Sequence, residues 1–273
     1  MAQGRAGTEG GVTNTKEESG FGPARMQSLD DFLTNDQYNL EQVRTTLPHF
    51  RDLMPAVHTL YSRSLVLVPT GIEPIFGQSL LLVHKAFLCA AATIGRRHPD
   101  DAAPITRRAI ETVSLAVAAK ADSANLSRWQ DYERRRARWA ARRVGDKPPR
   151  LDSKVKYPAT LDRLRSYLGI LSDAYVHFTP EFAAGHEWRR NKRGEQVFAE
   201  LPYITLDANR IAAELLLVGS LHLQMIGLFN RECFGRAFDR DEEWVMLGKA
   251  AAARLKEVRE LRTSFKSGEA AGK

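Results

Sequence analysis

The chain has 273 residues, long enough to bury one large core once its polar ends are set aside. Its two cysteines, Cys89 and Cys233, stand alone in apolar helical pattern, which excludes CxxC metal geometry and a secreted disulfide framework; both read as buried thiols in a reducing cytosol. The net charge of +7 is segregated: residues 128–156 carry eleven Lys/Arg against Asp131, Glu133, Asp146 and Asp152, so this one stretch holds the whole surplus and the rest is neutral.

The start, MAQGRAGTEGGVTNTKEESG, lacks an apolar h-region and is rich in Gly, Thr and Glu, so residues 1–27 read as a disordered leader, 28–265 as one helical domain and 266–273 as a disordered tail. From Leu29 to about Arg63 the spacing is helical but carries Pro48 and Pro55, which predicts two short helices; Ser64 to Gly77 is a Val/Pro/Gly connector. Gln78–Gly95 and Pro104–Ala121 are apolar on nearly every face, as central helices are, with His98–Asp101 as the turn between them. Ser79–Gly95 and Ile211–Phe229 approach membrane length. Yet His84 and Lys85 interrupt the first and Glu214, His222 and Gln224 the second, so both are expected as core helices in a cytoplasmic protein without a membrane partner.

Residues 124–144 form the basic helix. Wound at about 100° per residue, Leu126, Trp129, Tyr132, Trp139, Ala140 and Val144 gather on one side, while Arg134, Arg135, Arg138 and Arg142 share an arc on the other. Arginines supply planar forks for phosphate oxygens, so the helix is a candidate polyanion site. Read otherwise, it is a solvated face in which Asp131 pairs Arg135 and both Trp side chains point inward. The separation of rings from arginines argues against a base-stacking platform. A basic loop follows to Lys156, and then Leu161, Leu164, Leu168, Leu171 and Tyr175 mark an amphipathic helix stopped by Pro180.

Two half-apolar runs around Gly194, within residues 186–203, predict a β-hairpin with Arg189, Arg190, Lys192 and Arg193 at or near its tip, a second polyanion-binding candidate. Asp207 is placed to cap a long helix running to about Phe234, in which Gly219 and Gly227 allow close helix contact. The last helix, Asp239 to Phe265, repeats Trp244, Leu247, Ala251, Val258, Leu261 and Phe265 at heptad spacing, a stripe suited to the core or to a homodimer. The fold class is therefore all-α: a bundle of six to eight helices with one small inserted β-hairpin.

Arg107, Arg108 and Glu111 fall on a helix read as central, where an ionised group needs a partner, and Ser172 and His177 close another core helix. The segments RRAIETVSLAVAA and YLGILSDAYVHFTP resemble a bacterial family of helical domains of unknown function, in which an R-x-x-x-E helix is followed by a Leu-Ser…His segment and then a loop or hairpin. The likeness spans about residues 78–235. It implies a fold and singles out Arg107, Glu111, Ser172 and His177 as a polar pocket or as a satisfied network tying two helices. The network is preferred, because one carboxylate and one histidine form no nucleophile–base–orienter set. HEPN domains of abortive-infection systems are a more distant likeness, whose ribonuclease members use an Arg followed by four to six residues and a His. Arg44/His49 and Arg51/His58 fit that spacing, but with 29 arginines and seven histidines chance supplies about two such pairs, and Pro48 and Pro55 interrupt them. No metal pattern, Walker loop or cofactor motif occurs. The reading is a non-catalytic interaction module whose basic face takes nucleic acid or an acidic protein partner, with a HEPN-like ribonuclease as the alternative.

Overall fold

The computed structural model describes residues 29–140, 155–175, 189–193, 196–200 and 208–271. Eight α-helices occur among them: α1 Leu29–Thr46, α2 Pro48–Val66, α3 Pro74–Gly95, α4 Pro99–Ala121, α5 Ser123–Ala140, α6 Asp162–Tyr175, α7 Ala208–Leu228 and α8 Glu242–Ala271. The expected features at Arg142, Pro148, Pro149, His177, Pro180 and Asp207 lie outside the described residues.

Prolines set three helix starts and break none of the helices. Pro48, Pro74 and Pro99 each open a helix, where a missing N–H costs nothing. The helix after the His98 turn therefore begins five residues before Pro104, and Pro104 lies inside α4. Pro55 lies inside α2 on an exposed side, so its ring and lost hydrogen bond face solvent. The expected Ser64–Gly77 connector shrinks accordingly to residues 67–73.

The body is built round α7, which touches α2, α3, α4 and α8, while α3 and α4 form the most extensive helix pair. Alanines make that pairing close: Ala102, Ala103, Ala109, Ala116 and Ala119 of α4 are buried among Val83, Phe87 and Ile94 of α3 and the rest of one continuous core. A Cβ built on Gly219 would lie 3.2 Å from Leu53 Cδ2 and 3.3 Å from Leu255 Cδ1, so this glycine does sit at a close crossing; Gly227 faces only the Arg231 side chain. α1 packs on α2 and α3, and α5 and α6 flank α4. Both helices of membrane-crossing length and hydropathy, α3 and Asn209–Cys233, contribute to this core, although α3 leaves Leu81, Leu82 and Leu88 exposed.

α7 ends at Leu228, before the expected Phe234, and relaxes into a π-turn, Phe229–Cys233, closed by Phe234 N–H donating to Phe229 O at 3.0 Å. Buried Asn230 holds the corner that follows: its amide donates to Asp239 Oδ1 at 2.7 Å and its carbonyl accepts from Phe238 N–H at 3.0 Å. Gly235 and Arg236 turn there with positive φ. A 3₁₀ turn, Ala237–Arg240, then displaces the start of α8 from Asp239 to Glu242.

Asp241 caps α8 by accepting from Trp244 N–H at 2.7 Å, and both its oxygens also accept from the Arg63 guanidinium, which holds this carboxyl below the usual carboxylate range. Trp244 Nε1 donates to Ser64 Oγ at 2.8 Å, so the start of α8 is fastened to the end of α2. Ala251, Leu255 and Val258 continue the stripe into the core between α2 and α7 of the same chain.

No strand joins the helical body among the described residues. Arg189–Arg193 (β1) and Gln196–Glu200 (β2) run antiparallel as a two-stranded pair, Arg189 opposite Glu200 and Arg193 opposite Gln196. The cysteines differ from each other: Cys233 is buried, which pushes its thiol up to about 12, whereas Cys89 is exposed on α3.

Candidate functional site

Two features stand out: the end of α5 and a column of rings between α2, α3 and α7. The first half of α5 packs on α4 through Asn125, Leu126 and Trp129, with Trp129 6 % exposed. Asn125 Nδ2 donates to Ala118 O and Lys156 O, each at 3.1 Å, which fixes the entry of the helix. From Glu133 to Trp139 every residue is exposed. Arg134, Arg135, Arg136 and Arg138 all lie on this exposed stretch.

Among the described residues those arginines make only weak surface contacts. Arg134 and Arg135 share Asp131 at 3.7 and 3.2 Å, Arg136 lies 3.7 Å from Glu133, and Arg138 Nε donates weakly to Arg134 O at 3.4 Å. Exposed pairs of this kind are worth about 0–1 kcal/mol and are screened by salt. The expectation that both Trp side chains point inward fails for Trp139, which is 37 % exposed. Arg136 is a residue that the sequence arc omitted. β1 carries Arg189, Arg190, Lys192 and Arg193; the register puts Arg193 opposite Gln196 and Arg189 opposite Glu200.

The polar network is partly assembled. Arg107 Nε lies 3.2 Å from Glu111 Oε1, and Arg107 Nη1 donates to Ser172 Oγ at 2.6 Å, joining α4 to α6. His177 lies outside the described residues. Glu111 and Arg108 are exposed and Arg107 is only half-buried, which corrects the expectation of a desolvated ion pair: α4 is central, but this edge of it faces water.

The ring column is a site that the sequence reading missed. His58, exposed on α2, places Nδ1 2.8 Å from Nε2 of buried His84 on α3. The His84 ring stacks at 5.0 Å and 13° on Tyr61, one turn along α2 from His58. Tyr61 Oη lies 2.8 Å from Nδ1 of His222 on α7, and Phe87 meets the His222 ring edge-on at 5.1 Å. His222 is fully buried and its Nε2 has no hydrogen-bond partner. The tautomer with Nδ1–H donating to Tyr61 leaves Nε2 a bare lone pair, which costs less than an orphaned N–H and is assigned on that ground.

Burial lowers His84 to about 4, with His58 adding repulsion, and His222 to about 3, with His84 adding repulsion. Burial raises Tyr61 well above its ordinary value, so the phenol stays protonated. Tyr61, His84 and His222 are thus neutral near pH 7, while His58 opens to solvent. No group of three or more His, Cys, Asp or Glu that could hold a metal occurs among the described residues. The helix spacing of His58 with Tyr61 and of His84 with Phe87 is visible in sequence; the partnership of His222, over a hundred residues away, is not.

Neither a protein-family model nor a curated protein nor a solved structure matches the chain.

Proposed function

We propose that this protein is a binding module for polyanions, nucleic acid or an acidic protein partner, and that it acts by binding without chemistry of its own. The observation that carries the reading is the end of α5, where four arginines stand exposed and, among the described residues, pair with two carboxylates, Asp131 and Glu133. Counterion release by such a cluster is the general source of nucleic-acid affinity. The β1–β2 hairpin, inserted between α6 and α7, supplies a second cationic contact through Lys192 and Arg193. The Arg107–Ser172 bond joins α4 to α6, the helices that carry RRAIETVSLAVAA and part of YLGILSDAYVHFTP.

Anisotropy titrations with a labelled oligonucleotide over a range of salt test this reading. Replacing Arg134, Arg135, Arg136 and Arg138 together by Gln is expected to reduce the slope of log K against log salt by about 3 to 4 while leaving the melting temperature nearly unchanged. An unchanged slope would move the site away from α5.

A second reading, a HEPN-like ribonuclease of an abortive-infection system, is favoured by one specific observation. Pro55 does not interrupt α2, so Arg51 and His58, seven residues apart, share one exposed face of a continuous helix. Arg44 and His49 lie on different helices and lose that support. On this reading purified protein cleaves RNA, and His58→Ala abolishes cleavage without unfolding the chain. Absence of cleavage above background by the wild type would remove it.

A further inference from the structure

We infer that the exposed strip of α3 is the docking face for a second copy of this chain, packed antiparallel across a two-fold axis that passes between Leu81 and Leu82. Gln78, Leu81, Leu82, Lys85, Leu88 and Cys89 are exposed, the three leucines by 54, 57 and 43 %. The residues between them are buried, apart from half-buried Ala86. At 100° per residue the six fall within an arc of about 120°. They repeat at seven residues, Gln78 with Lys85, Leu81 with Leu88 and Leu82 with Cys89, which is the spacing of a seam that takes one further helix. The α8 stripe, Ala251, Leu255 and Val258, packs into the core of its own chain and leaves this role to α3.

Charge sets the register. Lys85 is the one ionised group of the strip. A parallel pairing, or an antiparallel one centred on Lys85, brings it against the partner's Lys85 and is repulsive. Moving the axis to the midpoint of Leu81 and Leu82 removes that clash, because Gln78 and Lys85 lie equally far from it, about 5 Å along the helix on either side. Gln78 then faces the partner's Lys85, and its amide carbonyl accepts from that ammonium, twice over by symmetry. Leu81 and Leu82 each meet their own counterpart beside the axis, and Leu88 lies over the partner's Pro74, a residue exposed at the start of α3.

Exposed carboxylates stand near both ends of the strip, Glu73 ahead of α3 and Asp101 in the first turn of α4, which weighs against an anionic lipid surface. One helix against one helix buries less than about 1,200 Å² in total, so the dimer is weak and forms in the micromolar range. It is independent of the polyanion reading, since the α5 arginines take no part in the seam.

Sedimentation equilibrium of the full chain from about 5 to about 500 µM tests the inference, and the mass is expected to rise from monomer towards dimer across that range. Leu81→Ser combined with Leu82→Ser should weaken the dimer at least about tenfold. Both side chains are exposed, so the melting temperature should be nearly unchanged. Gln78→Glu sets a carboxylate beside the partner's Lys85 in two symmetric pairs; it should tighten the dimer about three- to tenfold at low salt, a gain that high salt removes. A short bismaleimide should join Leu81→Cys chains across the axis in a Cys89→Ser background. Native Cys89, about 22 Å from its counterpart along the helix, should not be joined. A monomer at every concentration would overturn the inference, and binding of that monomer to phosphatidylserine vesicles through the leucines would give the face to lipid instead. A dimer that the double serine variant leaves intact, that Gln78→Glu does not tighten, or that cross-links through Cys89 would equally overturn it.

Discussion

Acidification from pH 7 to pH 5 is expected to destabilise the fold by about 4 kcal/mol through His84 and His222 alone. In the unfolded chain both histidines take up a proton near pH 6.5. In the folded chain they do so only near 4 and 3, because burial disfavours the imidazolium and no carboxylate is hydrogen-bonded to either ring. The unfolded state therefore binds more protons across this window, and stability is full above pH 6.5 and falls as pH drops towards 4. At pH 5 each histidine contributes about 2 kcal/mol of loss.

The charged groups on the helices round the column do not reverse that sign. Arg51 and Arg63 lie on α2 and Lys85 on α3; the one carboxylate of α2, Asp52, pairs with Arg51 at 3.4 Å, and Glu214 on α7 lies two turns from His222. For a domain of this size 4 kcal/mol corresponds to a fall of roughly 8–16 °C in melting temperature. Calorimetry at pH 7 and pH 5 reads it directly, and His222→Gln should remove about half of the pH dependence. A wild-type change below about 1 kcal/mol would show that the two rings are solvated or partnered in a way the geometry does not contain.

Local pattern carried much of the helix map. The apolar runs of α3 and α7, the amphipathic spacing of Leu161, Leu164, Leu168 and Leu171, and the small residue Gly219 at a crossing all follow from period and size. Where the reading failed, position relative to the body decided. Pro55 is tolerated because its turn faces water, a fact about packing and not about the residue. Glu111 lies at the water-facing edge of α4 because only part of that helix is enclosed.

Trp139, a ring that periodicity assigns to the buried side, is instead 37 % exposed on the stretch of α5 from Glu133 to Trp139. The ring column was illegible for a different reason. His58, Tyr61, His84 and Phe87 are local pairs on two helices, but their role is set by His222 on a third, and helix register across such a distance is not encoded in spacing. Arg107 and Ser172 were both singled out in sequence, and their hydrogen bond joins α4 to α6.

Truncating Tyr61 is expected to cost more than any surface change, about 3–5 kcal/mol for Tyr61→Ala. Its ring is wholly buried, stacked on His84 and tilted against Phe87, so removal leaves a cavity where α2, α3 and α7 meet. Tyr61→Phe separates the ring from the hydroxyl. The phenyl keeps the stack, but His222 loses the partner of Nδ1 while Nε2 has none, so either neutral tautomer then buries an unpaired N–H. That should cost about 1–3 kcal/mol, and a shift to the other tautomer cannot relieve it. Urea denaturation at pH 7.5, where His84 and His222 are neutral in the folded and largely neutral in the unfolded chain, measures the two losses with little contribution from the proton term. A neutral Tyr61→Phe would mean that the hydroxyl does not satisfy His222 and that packing alone holds the column. The graded pair, moderate for Phe and large for Ala, is the outcome that ties the buried histidine to the tyrosine above it.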